Sequence, residues 1–156
     1  MSTRITVRGL TDTIRDLDDV KGRLNDMRPV MDVIGEDIKS FVDDRFETST
    51  DPTGRPWQPL KPETLKRRRG GSGRPLIDTG TLRNSIAARP GPRSVRIGTN
   101  VPYAPVHQMG GKHIPPRRFL PFTPDGSEWE TEGLAGDELA RIVEALILYI
   151  IEGRIE

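Results

Sequence analysis

The run Val30-Met31-Asp32-Val33-Ile34-Gly35-Glu36-Asp37-Ile38-Lys39-Ser40-Phe41-Val42-Asp43-Asp44-Arg45-Phe46 carries Val30, Val33, Ile34, Ile38, Phe41, Val42 and Phe46 at helical spacing. Glu36, Asp37, Asp43, Asp44 and Arg45 lie on the other side. This predicts a long amphipathic helix with an apolar face broad enough to carry the remaining elements. It ends by Ser49, because Asp51-Pro52-Thr53-Gly54-Arg55-Pro56 is dense in turn formers. Upstream, Ile14, Leu17, Val20, Leu24 and Met27 recur every three or four residues and predict another helix, interrupted or restarted at Pro29. Before it, the alternation Arg4-Ile5-Thr6-Val7-Arg8 predicts a strand.

Downstream, the chain changes character. From Thr50 to Gly80 it is rich in Pro, Gly and Arg and poor in apolar residues, so an exposed arm is expected, with a short helix over Lys61–Lys66 that begins at Pro62. Ile86–Arg89, the turn Pro90-Gly91-Pro92 and Val95–Thr99 predict a hairpin with Val95 and Ile97 facing inward. Tyr103–Met109 suits a helical turn closed by Gly110-Gly111, and Arg118–Phe122 a short edge strand limited by Pro121. Leu139, Ile142, Val143, Leu146 and Ile150 mark a terminal helix, with Ile147, Leu148, Tyr149 and Ile151 adding apolar surface on its other faces. The resulting expectation is an α+β fold: a small antiparallel sheet packed against two or three helices, with a long extended loop arm. Residues 1–156 would form one domain, with an arm over 50–80 and a terminal helix over 135–153. No internal repeat is evident.

Composition narrows the function. Of 156 residues only 33% are apolar and 5% aromatic, while 30% are charged, so the core is lean. The surplus apolar residues of the terminal helix therefore predict subunit contacts. A net charge of +1 supplies no global field toward nucleic acid or membrane, and any such contact must come from a local patch. The absence of cysteine excludes disulfides, thiolate metal sites and cysteine nucleophiles. Met1-Ser2-Thr3-Arg4 lacks a secretory signature and no stretch is long enough to span a bilayer, which predicts a cytoplasmic protein.

Short motifs admit a chemical and a structural reading. Asp78-Thr79-Gly80 is the triplet that carries the catalytic carboxylate of aspartic proteases, and one copy per chain would serve a retroviral-type homodimer. The helical stripes on both flanks argue instead that Asp78 or Thr79 caps a short helix running through Ser85. His107 and His113 have neither a metal-ligand spacing nor an evident triad partner. Gly70-Gly71-Ser72-Gly73 lacks the lysine of a phosphate loop and reads as a flexible joint. Lys66-Arg67-Arg68-Arg69, with Arg74 nearby, is the strongest basic cluster; non-specific DNA and acidic faces of adjacent subunits suit it equally.

Five segments in order resemble the phage virion morphogenesis family, the tail-completion proteins of Mu-like and related long-tailed phages. They are Asp51-Pro52-Thr53-Gly54-Arg55-Pro56-Trp57-Gln58-Pro59-Leu60, Leu76-Ile77-Asp78-Thr79-Gly80-Thr81-Leu82-Arg83-Asn84-Ser85-Ile86, Val95–Thr99, Tyr103–Gly111 and Ile114–Leu120. Ile114-Pro115-Pro116-Arg117-Arg118 departs slightly from the family's "IPARPF" wording. The resemblance makes the Asp-Thr-Gly triplet part of a structural signature and implies no catalysis and no cofactor. It implies a protein that completes the tail or neck and helps join tail to head, assembled as a cyclic homo-oligomer of six or twelve copies. Head-closure, tail-terminator or tail-tube proteins would flank it. It would work in the host cytoplasm during assembly and end at the virion neck or tail end, with no membrane partner. Within that picture Trp57, Leu60, Leu146, Ile147, Tyr149 and Ile150 are the expected subunit contacts, with Trp57 anchoring the arm on a neighbour. Lys66, Arg67, Arg68, Arg69 and Arg74 would face passing DNA or an acidic partner.

Overall fold

A computed structural model describes residues 9–69, 73–121 and 136–155. Helix α1 (Leu10–Asn25) leads through a sharp corner into the long helix α2 (Arg28–Thr48), which has Pro29 in its first turn, where a missing N–H costs nothing. The Asp26 carboxylate receives the Arg28 N–H and guanidinium at that corner, and these contacts pull its pKa down to about 2. Helix α2 ends at Ser49, which sits in the left-handed region at φ 57 and returns its N–H to Arg45. After the loop come short helices α3 (Pro62–Lys66) and α4 (Thr81–Asn84), then strands β1 (Ala87–Pro90) and β2 (Val95–Gly98). Helix α5 (Ala104–Met109) follows, and α6 (Gly136–Ile147) runs into a π-helical turn over Leu148–Glu152.

The strands pair antiparallel, with Ala88 opposite Ile97 and Pro90 opposite Val95. These two pairs share the face turned toward α2, because side chains alternate along a strand. The approach is close: a Cβ on Gly35 would lie 2.9 Å from the Ala88 Cβ and 3.1 Å from Val95 Cγ2, so glycine lets the hairpin lie flat on the helix. Arg89 and Arg96 oppose each other on the exposed face.

Helix α2 organises two apolar clusters along its length. Up to Phe41 it contributes Val30, Ile34, Ile38 and Phe41 to a cluster with Tyr149, against which Leu139, Ile142, Leu146 and Ile150 near the end of the chain also pack. Its last third contributes Val42 and Phe46 to a cluster with Trp57, Leu82, Ile86, Ala104, Phe119 and Leu120. Ile97 touches both.

This arrangement is the expected α+β fold, a small antiparallel sheet against helices. The expected strand over Arg4–Arg8 lies outside the described residues, as does Phe122 at the end of the expected edge strand, and two other local expectations change. The described part of that edge strand, Arg118–Pro121, is irregular: it pairs with a side chain, Gln108, in place of a second strand. The capping role expected of Asp78 or Thr79 is absent, because the N-cap of α4 is Gly80 at φ 78, with no side-chain cap. Asp78 instead accepts the Arg69 N–H at 3.0 Å. Of the joint at Gly70–Gly73, only Gly73 lies among the described residues.

Candidate functional site

The second cluster gathers four of the five signature segments around one cleft, and each segment locks another. The Asp51 carboxylate accepts the Thr53 N–H at 2.8 Å, the Thr53 hydroxyl at 2.7 Å and the Arg55 N–H at 2.9 Å, which folds the Pro-Gly loop on itself. Burial opposes ionisation of Asp51, but these hydrogen bonds outweigh it and hold its pKa below the usual carboxylate value. The folded loop delivers Trp57 inward, with its N–H on the Ser49 carbonyl at 2.8 Å. There the indole lies edge-on to Phe46 at 5.7 Å and donates its Nε1–H to the Arg118 carbonyl at 3.0 Å. Arg117 then reaches back, donating to the Gln58 carbonyl at 2.8 and 3.0 Å. Every signature residue in this chain of contacts positions backbone.

Gln108 performs the same service for the last segment. Its Oε1 accepts the N–H groups of Phe119 and Leu120 at 3.0 and 3.1 Å, and its Nε2 donates to the Leu120 carbonyl at 2.9 Å. One buried side-chain amide thereby does the work of a missing strand neighbour and satisfies backbone that would otherwise be buried unpaired. Arg117 N–H on the His107 carbonyl, at 2.7 Å, ties the same segment to α5.

Between these locked loops opens a cleft of about 650 Å³, floored by Leu60, Leu76, Leu82 and Ile114 and edged by Tyr103 and His107. Its charged lining is predominantly basic, with Lys61, Arg68 and Arg117 against Asp78. Burial, and then the charge of Arg68, push the Arg117 pKa down, and its hydrogen-bond partners are backbone carbonyls. Burial, and then Arg117, likewise lower the pKa of His107 below its usual value, and among the described residues its buried Nδ1 has no hydrogen-bond partner. His107 is therefore neutral near pH 7. Leu76 lines the cleft at φ 61, a conformation that costs a branched side chain about 1–2 kcal/mol. It is held there by packing against the Trp57 cluster and by Arg68, which donates to the Ile77 carbonyl beside it.

The sequence-predicted contact residues fall on different surfaces. Trp57, expected to anchor on a neighbour, is 5% exposed and sits in this chain's own core. A ring that large gains most by filling the nearest cluster, and the Asp51 loop points it there. Tyr149 is likewise buried, with its hydroxyl on the Asp26 carbonyl at 2.7 Å. Leu146 and Ile150 are half-buried against the first cluster, Leu60 is half-buried in the cleft, and Ile147 is exposed. Of the basic residues, Lys66, Arg67 and Arg69 are exposed on the arm, whereas Arg74 pairs with Glu47 and Arg68 bonds the Arg74 and Ile77 carbonyls.

Two features were not anticipated. Gln108 gave no signal in the sequence, because an isolated glutamine has no characteristic pattern. The exposure of the α1 stripe was also missed: Ile14 is 52% and Leu17 63% exposed, although their spacing alone suggests a core-facing helix. Among the described residues, no group of three or more His, Cys, Asp or Glu side chains is placed to hold a metal ion, and no helix is long and apolar enough to cross a membrane.

Comparison with known proteins agrees with this geometry. The chain is 38% identical over 104 residues to the Mu-like prophage FluMu G protein 2 of Haemophilus influenzae, covering 62% of this chain and 67% of that protein. No solved structure matches it. A model of the phage virion morphogenesis family matches residues 6–140, which include every interlocked segment described above. The chain therefore belongs to the phage virion morphogenesis family.

Proposed function

We propose that this chain is a structural subunit, acting without catalysis or cofactor, that forms a ring to complete the phage tail or neck and helps join tail to head. The observation that carries this reading is unspent apolar surface on both terminal helices. Ile14, Leu17 and Leu24 of α1 are exposed, as are Val143, Ile147 and Ile151 at the other end of the chain. A lean, highly charged protein with two such faces gains stability by burying them between copies. The locked signature loops fit a subunit that must hold its shape while neighbours dock. The exposed Lys66, Arg67 and Arg69 are available to an acidic partner or to DNA, and replacing them with glutamate should block head-tail joining.

The direct test is the mass and shape of the purified full chain in solution. Closed rings of six or twelve copies, and unjoined heads and tails when the protein is depleted during phage growth, are the expected results. A monomer at every accessible concentration overturns the ring. A dimeric aspartic protease built on Asp78 is disfavoured, because that carboxylate is engaged by the Arg69 N–H at the entrance to a helix. Peptide cleavage abolished by Asp78→Asn would reinstate it.

A further inference from the structure

Helix α1 is amphipathic over 16 residues, and among the described residues its main attachment to the body is to the π-helical turn over Leu148–Glu152. Arg23 donates to the Ile150 and Ile151 carbonyls at 3.0 and 3.2 Å, and these bonds hold its last turns to the π-helical turn. Every residue from Thr11 to Asp19 is exposed. With 3.6 residues per turn, Ile14, Leu17, Val20 and Leu24 form one stripe, and Asp16 and Asp18 border it on its two sides. Between Leu10 and Asp19 the helix carries four acids, Asp12, Asp16, Asp18 and Asp19, against the single base Arg15.

The cleft described above has the opposite character. Leu60, Leu76 and Ile114 offer an apolar floor, and Lys61, Arg68 and the largely buried Arg117 make its charged lining predominantly positive. In the chain as folded the two features do not meet: Ile14 and Leu17 are exposed, and neither lines the cleft.

We propose that α1 of one copy lies in the basic cleft of the next, with Ile14 and Leu17 on the apolar floor and Asp16 and Asp18 against Lys61 and Arg117. The contact rests on the ring reading above and gives it a geometry. Donor helix and acceptor cleft are different surfaces, so the interface is head-to-tail, the type that closes into rings when the rotation between copies permits. It also places carboxylates beside Arg117, whose side-chain hydrogen bonds among the described residues go to backbone carbonyls.

Because the chain has no cysteine, introduced thiols report the contact without background. Under mild oxidation the full chain carrying Ile14→Cys together with Ile114→Cys should give a ladder of covalent multimers. An equimolar mixture of the two single variants should stop at dimers. Val143→Cys combined with Ile114→Cys should give no ladder. Leu17→Glu, on a side chain already exposed, should leave the circular dichroism unchanged and raise the concentration needed for assembly by about tenfold or more. Asp16→Lys with Asp18→Lys should weaken assembly, and Lys61→Glu in the same chain should restore part of it. If the wild-type protein assembles but the first pair gives no ladder and Leu17→Glu assembles normally, the α1 contact is wrong while the ring stands. If the wild-type protein never assembles, both fall.

Discussion

The Arg45 guanidinium meets the Glu138 carboxylate at 3.0 Å, with side chains only 5% and 18% exposed, joining α2 to α6 across 93 residues of sequence. Burial pushes the Arg45 pKa down, and the nearby charge of Glu138 works in the opposite direction. The pair thus fixes where the terminal helix crosses α2 as well as contributing to its hold.

Removing one partner of this pair strands a buried charge, whereas removing both does not. Glu138→Gln should destabilise the fold by about 3 kcal/mol, and Arg45→Met with Glu138→Leu should recover much of that loss. Urea unfolding of the three variants measures the difference. A single variant with an unchanged midpoint would show that the contact has no energetic weight.

Trp57 belongs to the core, so Trp57→Ala should destabilise the isolated chain by about 3–5 kcal/mol, in contrast to the assembly-only defect expected of an exposed anchor. Trp57→Phe retains the contact with Phe46 but leaves the Arg118 carbonyl without its donor, and should cost about 1–2 kcal/mol. Thermal unfolding distinguishes these from a surface role, in which the melting temperature would not move.

Gln108→Ala deprives two buried N–H groups and one carbonyl of their partner and should cost at least about 2–3 kcal/mol. Gln108→Glu retains the acceptor but not the donor, so an intermediate loss is expected. Hydrogen exchange should show the Phe119 and Leu120 amides losing protection in the alanine variant before the α2 amides do.

The folded-state pKa of His107 is depressed, so the unfolded chain binds this proton more readily. Its stabilising contribution is fully present above the ordinary histidine pKa near 6.5 and diminishes as pH falls below it. Stability should therefore fall between pH 7 and pH 5, and His107→Gln should flatten that slope. His113→Gln, on an exposed side chain, should leave it in place.

Much of the fold was legible in the sequence because its elements are set by local periodicity. The stripe from Val30 to Phe46, the turn at Pro90-Gly91-Pro92 and the first-turn prolines of α2 and α3 each specify backbone through neighbours in the chain. The same holds for the family signature, whose Asp51-Pro52-Thr53-Gly54 lock is closed by residues two to four positions apart. The destination of Trp57 was not legible. A lone aromatic in a polar loop reads the same whether it fills its own core or a neighbour's, and only the Asp51 loop and the Arg118 carbonyl decide between them.

The amino-acid order by itself determined which segments are helical, where the hairpin turns, and to which family the chain belongs, since each of those rests on patterns within a few residues. Tertiary structure alone decided which apolar stripes are satisfied. Helices α1 and α2 have similar periodicity, yet α2 is buried between hairpin and terminal helix while the first half of α1 stands in water. Burial depends on what arrives from distant parts of the chain, and no local pattern encodes that arrival.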